Sequence, residues 1–313
     1  MVDITLLGTA ALAPIPGRQL TAATLACNGR VILFDCGEGT QTAARAAGVS
    51  LMKADVIALT HYHGDHIFGL PGLMQTLNRL GRTESLTIVG PEGLEAIMEP
   101  IMKLVGSICY SVDFMTLPEA GLCLGELNRA WPDRARLTAF ATKHQVPSQG
   151  YCFTLERAGR FSPQRAEAMS VPREQWRLLQ RGQSVKAAGV EVSPSQVLGA
   201  PRRGLKFVFS GDTMACDALV QAASGADLLI CEATYGGNEQ AQLAAERGHM
   251  TFAQAAETAA KAGARRLWLA HYSQMIEDPL DYLPEAAAIF DGAVCGADGM
   301  ATTLKYEAEG EDE

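Results

Sequence analysis

The sequence has only six histidines, no C-x-x-C pair among its eight cysteines, and no apolar run approaching the length of a membrane span. It has no basic residue before Arg18, and Asp3 stands near its start, so the opening stretch does not read as a secretory signal peptide. No repeat of solenoid period is apparent. These absences argue against a helical membrane protein, a disulfide-framed secreted domain and a repeat array. The cysteines at 27, 36, 109, 123, 152, 216, 231 and 295 are scattered and read as reduced thiols, many on buried strands, which points to a cytoplasmic location.

What is present is a chain of 313 residues, 48% hydrophobic and 19% charged, ample for a sizeable core. Its net charge of −9 argues against indiscriminate nucleic-acid binding. One segment runs against that average: residues 157–206 hold ten Lys/Arg against three Asp/Glu. Within it, 157–203 contains Pro163, Pro172, Pro194 and Pro201 and few long apolar runs. We read 157–203 as a basic arm inserted into a single domain spanning 1–313, too poor in apolar residues to bury a core of its own. Arg173, Arg177 and Arg181 recur every four residues around Trp176, as on one face of a short helix. A stretch of opposite sign to its host fits a phosphate-backbone contact surface, the alternative being a loop that improves solubility.

The densest chemistry lies in Thr60-His61-Tyr62-His63-Gly64-Asp65-His66, which places three of the six histidines and a carboxylate directly after the apolar run 54–59. That run reads as a buried strand. In an extended loop His61 and His63 point the same way and would grip one metal, while Asp65 and His66 would face a second. Imidazole nitrogen and carboxylate oxygen suit zinc, manganese or iron being compatible.

The rest of the chain supplies partners. Strands at 3–9 and either side of Asn28-Gly29 are followed by helices at 39–47, 68–80 (Leu70, Leu73, Leu77 and Leu80 on one face) and 91–105. Beyond the arm, strands at 206–210, 227–231 and 266–270 alternate with helices at 214–223, 238–247 and 251–262, the last marked by a Thr251/Gln254 capping box. The tail 307–313 is low-complexity and reads as disordered. A strand-rich half and an alternating half suggest an α/β fold, sheet on sheet with helices on the outer faces.

Four apolar strands end in residues able to serve one cleft: at His61, at Gly211-Asp212, at Cys231-Glu232 and at His271, with His144 following a further strand at 136–142. Asp212 alone would equally suit an N-cap for a helix at Met214, and His144 or His271 alone a structural histidine. Together, two zinc ions need about seven ligands, and His61, His63, Asp65, His66, His144, Asp212 and His271 supply them. His249 is left over. It precedes the capped start of the 251–262 helix, where backbone N–H groups favour an anion, and Glu232 would hydrogen-bond it and raise its pKa.

With these residues assembled, the sequence resembles the metallo-β-lactamase superfamily and, within it, the ribonuclease Z family. The signature runs from Thr60 through Ile67-Phe68-Gly69-Leu70-Pro71-Gly72, and counterparts follow in order at Phe34-Asp35-Cys36-Gly37-Glu38-Gly39-Thr40-Gln41, Ser210-Gly211-Asp212-Thr213, Glu232-Ala233-Thr234, His249-Met250-Thr251 and Leu269-Ala270-His271-Tyr272-Ser273. The resemblance implies a four-layer αβ/βα sandwich with an exosite-like arm, and an endoribonuclease that removes the 3′ trailer of precursor tRNA to leave 3′-hydroxyl and 5′-phosphate ends. It implies one zinc on His61, His63 and His144, another on Asp65, His66 and His271, and Asp212 bridging. Asp65 would act as general base, with His249 and Glu232 serving the phosphate and leaving group. A homodimer and an arm that grips precursor tRNA are implied by the same resemblance.

Three stretches depart from the family pattern. Pro14-Ile15-Pro16-Gly17-Arg18-Gln19-Leu20 stands where P-x-K-x-R-N is usual. Cys231 replaces the histidine before Glu-Ala-Thr, and Val171-Pro172-Arg173-Glu174-Gln175-Trp176-Arg177 replaces a Gly-Pro-rich arm tip. None touches a metal ligand; they bear on tRNA recognition. The alternative they favour is a hydrolase of a small phosphodiester, thioester or lactone on the same scaffold.

Overall fold

The computed structural model describes residues 1–307. The first half forms β1 (Val2–Gly8), β2 (Ala22–Cys27), β3 (Arg30–Phe34), β4 (Ala54–Ala58), β5 (Leu86–Val89) and β6 (Val112–Met115). The second forms β7 (Leu122–Cys123), β8 (Ala135–Ala141), β9 (Gln149–Arg157), β10 (Val185–Ala187), β11 (Val190–Val192), β12 (Arg202–Phe209), β13 (Leu228–Glu232), β14 (Leu267–Ala270) and β15 (Ala293–Cys295) before β16 (Ala301–Leu304). Two seven-stranded sheets result, ordered β16-β1-β2-β3-β4-β5-β6 and β15-β14-β13-β12-β9-β8-β7. Asn28 and Gly29, at φ 51° and 77°, turn the β2–β3 hairpin as a primed turn requires.

The inner faces of the sheets meet in an apolar layer, where Phe34 packs on Phe207 and Phe209 with ring centroids 5.5 Å from each. Helix Leu70–Arg79 covers the outer face of the first sheet through Leu70, Leu73, Met74 and Leu77. Helix Phe252–Ala262 covers the second through Phe252, Ala255, Ala256 and Ala259. The architecture is the four-layer αβ/βα sandwich of the metallo-β-lactamase fold. Burying each central strand on both faces is what makes its sequence a continuous apolar run.

Several sequence expectations change. Leu80 does not belong to the apolar stripe: the helix ends at Arg79, and Leu80 is left exposed. Helix Asp217–Ala223 starts at the N-cap Cys216, so Asp212 is not a cap. Arg173 and Arg177 lie on different elements, a 3-10 turn Arg173–Gln175 and a helix Trp176–Gln180. The arm also has a core: Ala166, Val171, Leu179, Val185, Ala187, Val192 and Val197 are buried together, with Phe161 and Trp176 packed against them. Small scattered side chains suffice because the β10–β11 hairpin and three short helices close around them. Apart from Glu307, which pairs with Arg265, the expected disordered tail lies outside the described residues.

Candidate metal centre

Strand β4 runs parallel to β3 and β5, so its C-terminal end opens between their following loops. Thr60 O accepts from the N–H of Gln149 at the start of β9 (2.9 Å), which ties this loop to the second sheet. The ends of β12, β13 and β14 reach the same edge. Gly211, at φ 60°, makes the turn after β12 so close to Thr60 that a Cβ would lie 2.7 Å from Thr60 Cβ. His271 follows β14 at φ 61°. His144 comes in from the β8–β9 connection.

All seven candidate ligands converge. Nε2 of His61 lies 2.9 Å from Nδ1 of His63, which is 3.3 Å from Nε2 of His144. Asp65 Oδ2 lies 3.6 Å from His66 Nε2 and 3.7 Å from His271 Nε2. Asp212 sits between the sets, its Oδ2 3.7 Å from His61 Nε2 and 3.4 Å from His66 Nε2, its Oδ1 3.3 Å from His271 Nε2. Ligand atoms around a tetrahedral zinc with bonds of about 2.0–2.1 Å stand roughly 3.3 Å apart, so these spacings suit a metal.

The protons argue the same way. His61 Nδ1 donates to Thr60 Oγ1 (3.0 Å), His66 Nδ1 to Asp35 Oδ2 (2.8 Å), His144 Nδ1 to the Gly248 carbonyl (2.9 Å) and His271 Nδ1 to Thr234 Oγ1 (2.9 Å). Each outer bond selects the tautomer that aims an Nε2 lone pair inward. Nε2 of His66 and of His271 are buried without a hydrogen-bond partner. Nitrogen lone pairs and carboxylate oxygens brought this close need a proton or a cation between them. The donor set therefore fits metal ions. Burial above all pushes the His61 imidazole down to about 2, the neutral form a ligand needs. Burial raises the Asp65 carboxyl, but the facing imidazoles of His271 and His66 outweigh it and hold it below the usual carboxylate range.

Glu232 and His249 form a separate unit beside the ligands. His249 Nδ1 donates to Glu232 Oε1 at 2.9 Å. Glu232 is buried and also accepts from Thr213 N (2.6 Å), Met250 N (3.1 Å) and Thr234 Oγ1 (2.6 Å). Burial pulls the His249 imidazole down, but the Glu232 carboxylate outweighs it and pushes the ring up to about 9. The helix start beside His249 is not the open anion site expected. Gln254 N donates to Thr251 Oγ1, Thr251 N to Gln254 Oε1 and Phe252 N to the Tyr235 carbonyl, so these amides are bonded within the chain.

Asp35, Thr234 and the backbone of Leu12 also contact the candidate ligands; the sequence placed Asp35 and Thr234 in matched motifs without giving them a role, and did not point to Leu12. Asp35 follows β3 at φ 57°, is fully buried, and takes Thr60 N (2.8 Å) and Thr60 Oγ1 (2.9 Å) besides His66. Leu12 N donates to Asp65 Oδ2 at 2.9 Å. The strand-end rule that singled out Asp212 applies equally to Asp35. The other two had no local signal of a role.

The profile of the metallo-beta-lactamase superfamily matches residues 17–101, and that of a beta-lactamase superfamily domain matches 152–272. Ribonuclease Z of Lachnoclostridium phytofermentans is 38% identical over 309 residues, covering 98% of this chain and 99% of that one. Ribonuclease Z of Agathobacter rectalis is 38% identical, covering 99% of this chain and all of the other. Among solved structures, the short form of human tRNase Z superposes with a TM-score of 0.67 at 26% identity, over 97% of this chain and 100% of that one.

Proposed function

The chain belongs to the ribonuclease Z family of the metallo-β-lactamase superfamily, and on that premise we propose that it is an endoribonuclease that removes the 3′ trailer of precursor tRNA. The observation that carries the reading is the convergence of seven candidate ligand side chains, with Nε2 of His66 and of His271 buried and unbonded among them. In this reading His61, His63 and His144 would hold one zinc ion and Asp65, His66 and His271 another, with Asp212 available to both. When bound, such ions supply Lewis acidity toward phosphoryl oxygens and can lower the pKa of water from 15.7 to about 7.

The chain's own groups do the rest. Asp65, oriented by the Leu12 N–H, takes the proton from the attacking water. The new P–O bond forms as the bond to the 3′ oxygen breaks. His249, kept charged by Glu232, gives its proton to that departing 3′ oxygen. The products are then a 3′-hydroxyl on the tRNA and a 5′-phosphate on the trailer.

The basic arm is assigned to gripping the folded RNA, supported by its exposed Arg173 and Arg181 and by the local charge excess. A homodimer and a cytoplasmic location complete the proposal. The test is cleavage of precursor tRNA with end-group analysis, beside a chromogenic phosphodiester, with metal content measured on the same sample. Cleavage of the small ester with intact precursor tRNA would instead favour a small-molecule hydrolase.

A further inference from the structure

Two large apolar side chains stand in water at the rim of the metal centre, Phe68 and Leu12, each 73% exposed. Single exposed apolar residues are common and need no explanation. These two are distinguished by what they touch. Phe68 closes the short helix Gly64–Ile67, its N–H donating to the Gly64 carbonyl at 2.9 Å. The next residue, Gly69, donates to the Cys36 carbonyl at 2.8 Å, so the backbone under the ring is fixed on both sides. One side of the ring rests on Gly64, where a Cβ would come 2.3, 2.7 and 2.8 Å from Cε2, Cζ and Cδ2. Gly64 lies between His63 and Asp65, so the ring is seated on the backbone that carries two of the ligands.

Leu12 reaches Asp65 from another direction, through its N–H. Its φ of 66° is one that side-chain-bearing residues rarely adopt, and it projects the leucine outward. The loop is held there by Ala11 N donating to the Tyr272 carbonyl (2.9 Å) and by Arg18 Nη2 donating to Ile276 O (2.6 Å) and Glu277 O (3.0 Å). Thus one exposed apolar group is seated on Gly64, next to Asp65 in the chain, and the other is carried by the residue whose N–H donates to the Asp65 carboxylate.

We propose that Phe68, with Leu12 beside Asp65, is a stacking platform for an unpaired nucleobase next to the scissile phosphate. The proposal rests on the reading of the substrate as RNA. It adds that the nucleotide beside the cut is held by its base face and not only through its phosphate. Every base has such a face, so this grip positions the strand without selecting its sequence.

The test combines a side-chain deletion with a base deletion. Phe68→Ala and Phe68→Trp are assayed on precursor tRNA and on the same RNA carrying an abasic nucleotide on either side of the cleaved bond. Phe68→Ala should lower kcat/KM about tenfold to hundredfold on intact RNA, and Phe68→Trp should retain activity. On the RNA abasic at the stacked position, Phe68→Ala should cost nothing further, and bound zinc should match wild type throughout. Equal losses on intact and both abasic RNAs, or loss of zinc in Phe68→Ala, would show that the ring merely supports Gly64 and would overturn the platform while leaving the RNA reading intact. A wild-type protein that cuts no RNA overturns both.

Discussion

At the metal centre four imidazoles are fixed through their outer nitrogens to Thr60, Asp35, Gly248 and Thr234, and most of the site is buried. In the arm, Arg173 is 82% exposed at the side chain and meets Glu167 at 3.4 Å and the Trp176 ring at 5.5 Å. The first region holds its rings by hydrogen bonds to buried or backbone partners, which suits bond making. The second offers exposed charge on a small module with its own core, which suits an extended polyanion whose shape is set elsewhere. The difference predicts that damage to the centre appears in turnover and damage to the arm in binding.

The strongest challenge is Asp212→Ala, which removes the carboxylate shared by both ligand sets. It should abolish turnover on every phosphodiester and deplete bound metal; wild-type rates would refute the site. His249→Gln comes next, with a loss of about 10²–10⁴ in kcat while metal content stays at the wild-type level. Metal lost in step with activity would move His249 from proton donor to ligand. Asp35→Asn keeps the shape but weakens the acceptor for His66, and a chelator titration should show metal affinity falling about 10–100-fold. At the other pole, replacing Arg173, Arg177 and Arg181 by alanine should raise KM for folded RNA and flatten its dependence on salt by about one unit of slope for each phosphate no longer neutralised. Cleavage of a small phosphodiester should change far less. Equal losses on both substrates would make the arm structural.

Much of the centre is legible in the sequence because its side chains sit where apolar runs stop, at His61, Asp212, Glu232 and His271, and local patterning finds such places. Asp35 is equally visible by that rule, yet its value shows only once β3 and β4 lie side by side and bring it to His66, 31 residues on. Thr234 and the Leu12 N–H depend on loop geometry that no period reports. The arm core escapes the sequence for a related reason: Ala166, Val171, Leu179 and Val197 are spaced without period, and they meet only once the β10–β11 hairpin and the short helices pack together. The helix expected at 214–223 begins three residues later, at Asp217. Met214 N donates to Lys143 O at 2.8 Å, which keeps that stretch extended beside His144.

Among the described residues six non-glycine positions have positive φ, and three of them, Leu12, Asp35 and His271, belong to the centre. Left-handed torsions of this kind cost side-chain-bearing residues roughly 1–2 kcal/mol each. The polypeptide thus carries backbone tension at the spot where its imidazoles and carboxylates crowd together. A cation that binds there only in the folded chain steadies the whole molecule by mass action. Stripping it with a chelator should therefore lower the melting temperature as well as silence cleavage, so that cation supply would govern how much protein persists as well as how fast it works.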